Sequence, residues 1–424
     1  MTFKIISQEV YLLGIDLDTP FPLSFGILHH LPRVLYKLKA SNGNKTLEGY
    51  GDASIDFPFS DYDMWDIFHF LQNLDLNGLN VNDKDELLED LLENGKVREK
   101  SGLAAVNMAL DDLYGQANRA SVGEMYGIKR RSGIILQSVP FHSSVEELNR
   151  EIKKVLNQRR IPKIKLGHCL DYDVPVISLL EQNFPGVRYA VDFNAGYSLD
   201  EAAAFLDQTK ARIDGMVVME QPTSRGEGIK GLIELHKHLK RLGAKTRIVC
   251  DETFVNLDDA VECAENGIGL NFKIQKIGGI LQAMRIERNL QKLNINIYTM
   301  VGGTFPTAIG RVYDQHALSA LQYTNLPSDG WQPTTDWFNG EKHAIDQRFI
   351  ISEEGLAMPL PGHGLGITVR PQFIKSFLID DPKDEYRMIR TTGKGNRIKI
   401  ELKNGNSYRA AYESLCQRSV DWNL

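Results

Sequence analysis

The chain has 424 residues, which is too long for one ordinary compact domain but suits a barrel of about 250 residues with a second domain. Its composition, 42% hydrophobic and 25% charged, is typical of a folded globular protein, and its net charge of -6 argues against nucleic acid as a partner. The four cysteines form no CxxC pair, and no run of about eighteen apolar residues indicates a membrane segment. We expect a cytoplasmic homo-oligomer with a small-molecule partner, no nucleic acid and no membrane.

The first third of the chain predicts an antiparallel sheet followed by helices. Apolar and polar residues alternate in KIISQEVYLL and RVLYKLKA, and a turn at residues 42–44 leads into LEGYGDASI. Apolar residues then recur three and four apart in MWDIFHFLQNL, DELLEDLLENG and GLAAVNMALDDLYGQAN, a spacing typical of helices. These elements predict an α+β domain over residues 1–130.

Short β-branched runs alternate with amphipathic segments from Gly133 onward. Seven strands are predicted, in GIILQSV, IPKIKL, VRYAVDF, GMVVME, TRIVCD, GLNFKI and INIYTM, and an eighth is placed near ALSALQY. The repeated strand-helix unit, without a GxGxxG after the first strand, favours an α/β fold of the closed (β/α)₈ TIM type over an open doubly wound sheet. The barrel is predicted over residues 131–370. A C-terminal extension over 371–424, with a hairpin in RIKIELKNGNSYRAAY, is expected to pack on the first domain or the barrel.

Three carboxylates close successive predicted strands. RYAVDFN reaches Asp192, MVVMEQP reaches Glu220, and RIVCDET reaches Asp251. Catalytic groups of such barrels lie at the C-terminal ends of the strands, and three oxygen ligands on a ring suit Mg²⁺ better than zinc or copper. Any one of them could instead be a helix cap or a loop carboxylate. Together they concentrate negative charge that a cation would offset, so we predict a Mg²⁺ site.

Lysines are predicted on two sides of this site. Lys163 and Lys165 are two residues apart in IPKIKLG, so both should face the barrel interior. Lys273 occupies the corresponding position on the sixth strand, across the mouth. A lysine beside another cation loses its proton more readily, so Lys163 would make Lys165 a usable base. The alternative is that the lysines only neutralise the carboxylates.

This equipment suits the removal of a weakly acidic proton next to a carboxylate. The metal would stabilise the enediolate while a lysine on one face takes the proton. A second lysine on the other face could return it there, which inverts the carbon. We therefore predict racemisation or epimerisation of a carboxylate substrate, with Lys165 and Lys273 as the acid/base pair.

At these residues the chain resembles the enolase superfamily, and more closely its mandelate racemase and muconate lactonizing enzyme family. The matching motifs are KIKLG, VDFNAGYS, MEQP, CDET, FKIQKIGG, MVGG and PGHGLGI, in this order, preceded by GYGDA and VNMALDDLYGQA. The resemblance covers roughly residues 1–370. It implies a barrel with an N-terminal α+β capping domain whose loops at 23–29 and 54–59 close over the substrate.

The resemblance also implies roles for particular residues. Mg²⁺ would be held by Asp192, Glu220 and Asp251, and Lys165 and Lys273 would exchange the proton. The supporting positions are Asn194, Glu252 and Lys276. The candidate substrate contacts are Phe25, His29, Gly302 and Gly303.

The substrate and the reaction outcome stay open. Dipeptide epimerases of this subgroup carry Asp-x-Asp at the end of the eighth strand, whereas this chain has YTNLPSDGWQPTTDWF, where Asp329 and Asp336 are candidates for holding a substrate ammonium group. Phe305-Pro306-Thr307 stands after the seventh strand, where related enzymes often have a glutamate. The alternatives are an o-succinylbenzoate synthase-type dehydratase or a cycloisomerase on the same scaffold, and a non-catalytic metal-binding barrel.

Overall fold

The computed structural model of the protein describes residues 2–23, 26–55, 59–93, 97–126, 132–142, 144–210, 213 and 215–379. Each helix within these ranges is too short or too polar to span a membrane. The predicted hairpin near residues 397–412 and the side chains of Phe25 and His29 lie outside the described part.

The first part of the chain is the predicted α+β unit. Its three strands form one antiparallel sheet in the order β1 (Lys4–Leu23), β2 (Gly26–Ser41) and β3 (Thr46–Ala53). Four helices follow: α1 (Met64–Asn73), α2 (Lys84–Glu93), α3 (Lys100–Asn118) and α4 (Val122–Met125). Helix α1 begins at Asp63, whose side chain accepts hydrogen bonds from two backbone N–H groups of the first turn. The apolar faces of α1, α2 and α3 pack on the sheet and form a core of their own.

A parallel sheet of seven strands follows, which confirms the predicted α/β class. Its strands are, in spatial order, β5 (Leu136–Val139), β6 (Ile161–Lys165), β7 (Tyr189–Asp192), β8 (Met216–Glu220), β9 (Arg247–Cys250), β10 (Gly269–Asn271) and β11 (Thr299–Met300). The helices between and after them are α5 (Val145–Asn157), α6 (Leu170–Asn183), α7 (Leu199–Thr209), α8 (Gly228–Arg241), α9 (Leu257–Glu265), α10 (Ile274–Ile277), α11 (Ile280–Lys292), α12 (Ala308–Ala320) and α13 (Pro371–Phe377). A small antiparallel sheet joins β4 (Gly133–Ile134), β12 (Ile350–Ile351) and β13 (Leu356–Met358).

The predicted eighth strand near ALSALQY is wrong. Most of that segment lies in α12, and a short extended segment after it, residues 324–328, takes the eighth position instead. Thr324 bridges Thr299 at β11 on one side, and Ser328 bridges Ile135 beside β5 on the other. Backbone hydrogen bonds support both junctions, from Leu326 N to Thr299 O and from Leu136 N to Ser328 O. The seven strands are thereby closed into a ring.

The chain returns to the first sheet after the barrel. Leu378 forms an antiparallel bridge with Leu13 of β1, and Ile379 N donates to Leu12 O over 2.9 Å. Helix α13 also contacts β1. The first residues of the predicted C-terminal extension therefore lie against the first unit, whereas the two predicted boundaries between the three domains stay predictions.

Gly279, which immediately precedes α11 of the barrel, lies in close contact with Asn107 of α3. Its backbone has φ 115° and ψ 174°, a conformation that is essentially restricted to glycine, and an added Cβ would lie 2.3 Å from Asn107 Oδ1. Asn107 Oδ1 also accepts a hydrogen bond from Leu281 N. We expect Gly279→Ala to lower the free energy of unfolding by about 3 kcal/mol or more, as measured by urea unfolding.

The matched control is Gly243→Ala. Gly243 also has a positive φ, of 73°, but an added Cβ would meet nothing within 4 Å. This variant should lose only about 1 kcal/mol. Equal losses in the two variants would show that backbone conformation alone, and not the contact with α3, makes Gly279 necessary.

Candidate active site

The alternation of side chains along each strand places the candidate site inside the barrel. A ring of buried apolar side chains fills the interior near the start of the strands, comprising Leu136, Ile161, Ala190, Val218, Val249 and Met300. Side chains two residues further along a strand face the same way. The next layer is therefore mostly polar: it consists of Ser138, Lys163, Asp192, Glu220 and Asp251, with Gly302 at the position that follows β11. The three carboxylates and Lys163 are brought together by this register.

Lys163 lies at the centre of one half of the cluster. Its Nζ is 2.8 Å from Glu220 Oε2, 3.1 Å from Asp192 Oδ2 and 2.7 Å from Asp329 Oδ2. Asp329 directly follows the segment that closes the barrel. Only 1% of Lys163 is exposed, so three carboxylates take the place of water around its ammonium group.

Lys165 lies one layer nearer the mouth on the same strand. Its Nζ is 2.6 Å from Asp192 Oδ2 and 3.2 Å from Asn194 Oδ1. Asn194 in turn donates from its backbone N–H to Asp192 Oδ1 and from its side chain to Glu252 Oε1, over 2.9 and 3.3 Å. Two of the three predicted supporting residues therefore lie at the cluster: Asn194 contacts the predicted ligand and the predicted base, and Glu252 contacts Asn194.

Lys273 and Lys276 occupy the other half of the cluster. Lys273 Nζ is 2.6 Å from Asp251 Oδ2, and Lys276 Nζ is 2.6 Å from Asp251 Oδ1. Lys276 also donates to the Asp251 backbone oxygen. Since β6 and β10 are separated by three strands in the sheet, Lys165 and Lys273 approach the cluster from different sides.

Asn271 supports Glu220 and was not among the predicted site residues. Its Nδ2 donates to Glu220 Oε1 over 2.7 Å. Asn271 is two residues before Lys273 in the chain, so strand alternation alone could have placed it in the interior. Gly302 lies directly against it, because a Cβ at Gly302 would be 2.4 Å from Asn271 Oδ1.

The pKa values show how the charges of this cluster act on one another. Burial raises the pKa of Glu220, and the Asp192 carboxylate raises it further, to about 8. Burial would also raise the pKa of Asp192, but the ammonium groups of Lys165 and Lys163 lower it to about 2. Lys273 and Lys276 hold the pKa of Asp251 below its usual range in the same way, against its burial. Burial opposes the charge of Lys163, yet Asp329, Glu220 and Asp192 raise its pKa well above the usual range.

The donor set fits a hard divalent cation in its chemistry. All three predicted ligands are fully or almost fully buried carboxylates on neighbouring strands. The cluster contains one carboxylate more than it has ammonium groups: Asp192, Glu220, Asp251, Glu252 and Asp329 against Lys163, Lys165, Lys273 and Lys276. Within the described ranges, no three His, Cys, Asp or Glu side chains are grouped around a common point, and Lys163 Nζ bridges two of the three predicted ligands.

The remaining predicted residues are placed as follows. A Cβ at Gly303 would lie 2.6 Å from the buried guanidinium group of Arg311. Asp336 hydrogen-bonds Gln137 and lies 3.5 Å from Arg160, which precedes β6, whereas Asp329 faces Lys163. Of the two aspartates considered for a substrate ammonium group, the structure places Asp329 in the cluster.

His168 lies just beyond Lys165 in the chain, and its imidazole ring is largely buried. Its ring packs against Phe141 and Tyr172, and its Nε2 has no hydrogen-bond partner among the described residues. Burial lowers the pKa of His168 to about 4, below the value of about 6.5 in an unfolded chain. Its neutral form therefore stabilises the fold fully above about pH 6.5, and this contribution is lost as the pH falls towards 4.

We expect His168→Phe to remove this part of the acid sensitivity. Between pH 7 and pH 4 the wild type should lose up to about 3 kcal/mol more unfolding free energy than the variant, as measured by urea unfolding. The control is His69→Phe, at an exposed histidine that also neighbours aromatic rings. If the wild type and His168→Phe lose stability equally, burial of the imidazole does not cause the effect.

The fold is that of the enolase superfamily barrels. The family model for "Enolase C-terminal domain-like" proteins matches residues 147–373, more than half of the chain. The chain belongs to this family, as the resemblance of its motifs predicts.

Similar curated proteins carry out more than one reaction. An o-succinylbenzoate synthase of Enterococcus faecalis is 27% identical over 381 residues, which span 86% of this chain and 96% of that protein. A hydrophobic dipeptide epimerase of Citrifermentans bemidjiense is 24% identical over 383 residues, which span 88% and 99%. These relatives are consistent with both an isomerase and a lyase.

Similar solved structures share the fold. A muconate lactonizing enzyme from Pseudomonas fluorescens, complexed with muconolactone, aligns with a TM-score of 0.77 and 19% identity over 89% of this chain and 99% of that chain. A dipeptide epimerase from Cytophaga hutchinsonii, complexed with Mg and D-Ala-L-Val, aligns with a TM-score of 0.76 and 20% identity over 88% and 98%.

Proposed function

We propose that the protein is a Mg²⁺-dependent racemase or epimerase that removes and returns the α-proton of a carboxylate substrate, an amino-acid derivative or a dipeptide. The observation that carries the proposal is the placement of two lysines on separate sides of one carboxylate cluster. Lys165 contacts Asp192, and Lys273 contacts Asp251. A pair of this kind is what inversion of a carbon centre requires, because the proton leaves one face and returns to the other.

Asp192, Glu220 and Asp251 would hold the metal ion. When bound, Mg²⁺ supplies positive charge beside the substrate carboxylate and so favours the negative charge that develops there. Lys163, which the surrounding carboxylates keep protonated, adds a second fixed positive charge in the same layer.

The lysines move the proton. The neutral amine of one lysine takes the α-proton, and the electron pair left behind spreads onto the carboxylate oxygens of the substrate. The ammonium group of the opposite lysine then donates its own proton to the other face of the carbon. Lys165 and Lys273 exchange roles between the two directions of the reaction.

A second candidate is an o-succinylbenzoate synthase-type dehydration. It is favoured by the relatives, because several o-succinylbenzoate synthases align over about 95% of their own length. In this reaction the α-proton is removed and hydroxide leaves the neighbouring carbon as water, which needs a base on one face only. The opposite lysine would then act as a fixed cation.

The test is a screen in D₂O with Mg²⁺. The substrates are N-acylamino acids, dipeptides and hydroxy acids, and proton NMR follows the loss of each α-proton signal. We expect exchange together with inversion on at least one amino-acid derivative. Formation of an α,β-unsaturated product from a β-hydroxy acid would support dehydration instead. Mg²⁺ binding without exchange on any acid would contradict both candidates and favour a non-catalytic metal-binding barrel.

A further inference from the structure

The segment from Val301 to Thr307, termed the mouth loop below, connects β11 to α12 at the candidate site. Its Gly302 lies against the Asn271 amide, close enough that a Cβ at this position would be 2.4 Å from Oδ1. The same amide donates to Glu220 Oε1 over 2.7 Å. The backbone of the mouth loop therefore limits where Asn271, and through it Glu220, can lie.

The mouth loop is held by side chains of the first sheet. Arg33 of β2 donates from Nε to Phe305 O over 3.0 Å and from Nη2 to Thr304 O over 3.1 Å. Ser54 Oγ and Thr304 Oγ1 are 2.5 Å apart. At the end of the loop, Thr307 N donates to Asp52 Oδ2 over 2.7 Å.

These contacts are directional hydrogen bonds, and those of Arg33 and Asp52 involve buried ionisable side chains. Arg33 is 2% exposed and Asp52 is fully buried. Burial lowers the pKa of Arg33 and raises that of Asp52, and the charge of each residue opposes the effect of burial on the other. A buried charged group that loses its partner is costly, which gives the attached loop few alternative positions.

The loop backbone also carries strain at Phe305. This residue has φ 54°, which residues other than glycine rarely adopt, and such strain persists only where the surroundings impose it. Here Arg33 binds the Phe305 carbonyl oxygen, and the ring packs between Phe21 and Trp337, with centroids 5.0 Å away on each side. Phe21 belongs to β1, so side chains of the first sheet contact both the backbone and the ring of Phe305.

We propose that Arg33, Asp52 and Ser54 are positioning residues for the candidate site. They hold the mouth loop on Asn271 and thereby orient Glu220, although none of them lies in the carboxylate-lysine cluster. The first unit would thus influence the metal site by orienting the Glu220 carboxylate, in addition to covering the substrate. The effect on the metal site rests on the proposed function, whereas the effect on the mouth loop does not.

The test compares Arg33→Met and Ser54→Ala with the wild type by two measurements. Hydrogen-deuterium exchange should be faster in peptides that contain residues 301–307 and, through Asn271, in those that contain 218–221. Calorimetric titration should show Mg²⁺ affinity reduced about tenfold in Arg33→Met and less in Ser54→Ala, because residues that orient a ligand typically change affinity by about 10- to 100-fold. Ser54→Ala alone decides the matter if Arg33→Met does not fold.

Asp18→Asn is the matched control. It removes an exposed link of β1, in which Asp18 binds Lys342 and Asn339 over 2.8 Å without contacting the mouth loop. Exchange and Mg²⁺ affinity should then stay at the wild-type level. Unchanged exchange at 301–307 and 218–221 in a folded Arg33→Met or Ser54→Ala variant would overturn the inference. If the wild type itself bound no Mg²⁺, the proposed function would fail. The exchange measurement would still decide whether Arg33, Asp52 and Ser54 hold the mouth loop.

Discussion

Lys165→Ala is expected to stop exchange of the α-proton from one enantiomer of the substrate while leaving slow exchange from the other, and Lys273→Ala should give the mirror result. The reason is geometric: the two ammonium groups reach the cluster from β6 and β10 and contact different carboxylates. Net inversion should disappear in both variants. The step that loses its group should slow by at least about 10²-fold, measured by proton NMR in D₂O on each enantiomer separately.

Lys237→Ala serves as the control for this pair. Lys237 is exposed on α8 and pairs with Glu234 one helical turn away, so its loss should leave exchange and inversion unchanged. Normal racemisation by one of the two active-site variants, with the other inactive, would mean a one-base reaction. The dehydration candidate would then be the better account of the chain.

Asp192→Asn and Asp251→Asn are each expected to abolish measurable Mg²⁺ binding and activity while the protein stays folded. Both carboxylates lie in the polar layer at the carboxyl ends of the strands, above the apolar ring that packs the barrel interior. Loss of one of the five carboxylates also leaves the cluster with equal numbers of carboxylates and ammonium groups, so the excess negative charge that would attract a cation is gone. For Asp251→Asn this effect is large, since two ammonium groups contact that side chain. Calorimetric titration with Mg²⁺ measures the binding, and circular dichroism measures the fold.

Asp329→Asn separates ligand loss from a general change of charge. Asp329 is a carboxylate of the same cluster and contacts Lys163, but it is not one of the three proposed ligands. We expect this variant to bind Mg²⁺ within about threefold of the wild type, less than the effect of one lost charged hydrogen bond. Undiminished affinity in both Asp192→Asn and Asp251→Asn would remove these residues from the metal site.

The core of the site could be predicted because its residues lie on regular strands. Period-two alternation places Lys163 and Lys165 on one face, and the apolar runs end at the carboxylates of β7, β8 and β9. The same rule reaches Asn271 from Lys273, so its omission from the prediction was avoidable. What alternation cannot give is the partner of each side chain. The contact of Lys163 with Asp329, for example, depends on how the ring closes.

The eighth strand was misplaced for a physical reason. All residues of α12 are buried, polar ones such as Arg311 and Asp314 included, so its polar side chains do not mark a solvent-facing side of the kind by which a surface helix is recognised. The segment that does close the ring is short and contains Pro327, which is depleted in strands. The position of Asp329 follows from this segment, which explains why it could be named only as a candidate.

The return of the chain to β1 has a consequence for synthesis and folding. The bridge between Leu13 and Leu378 joins residues more than 360 positions apart, so one edge of the first sheet is completed only after residue 379 has left the ribosome. Translation adds roughly 5–20 residues per second, which leaves β1 without this partner for tens of seconds. An unpaired strand edge is a site where chains associate wrongly. During that interval the nascent first unit would therefore expose a strand edge that a chaperone could protect.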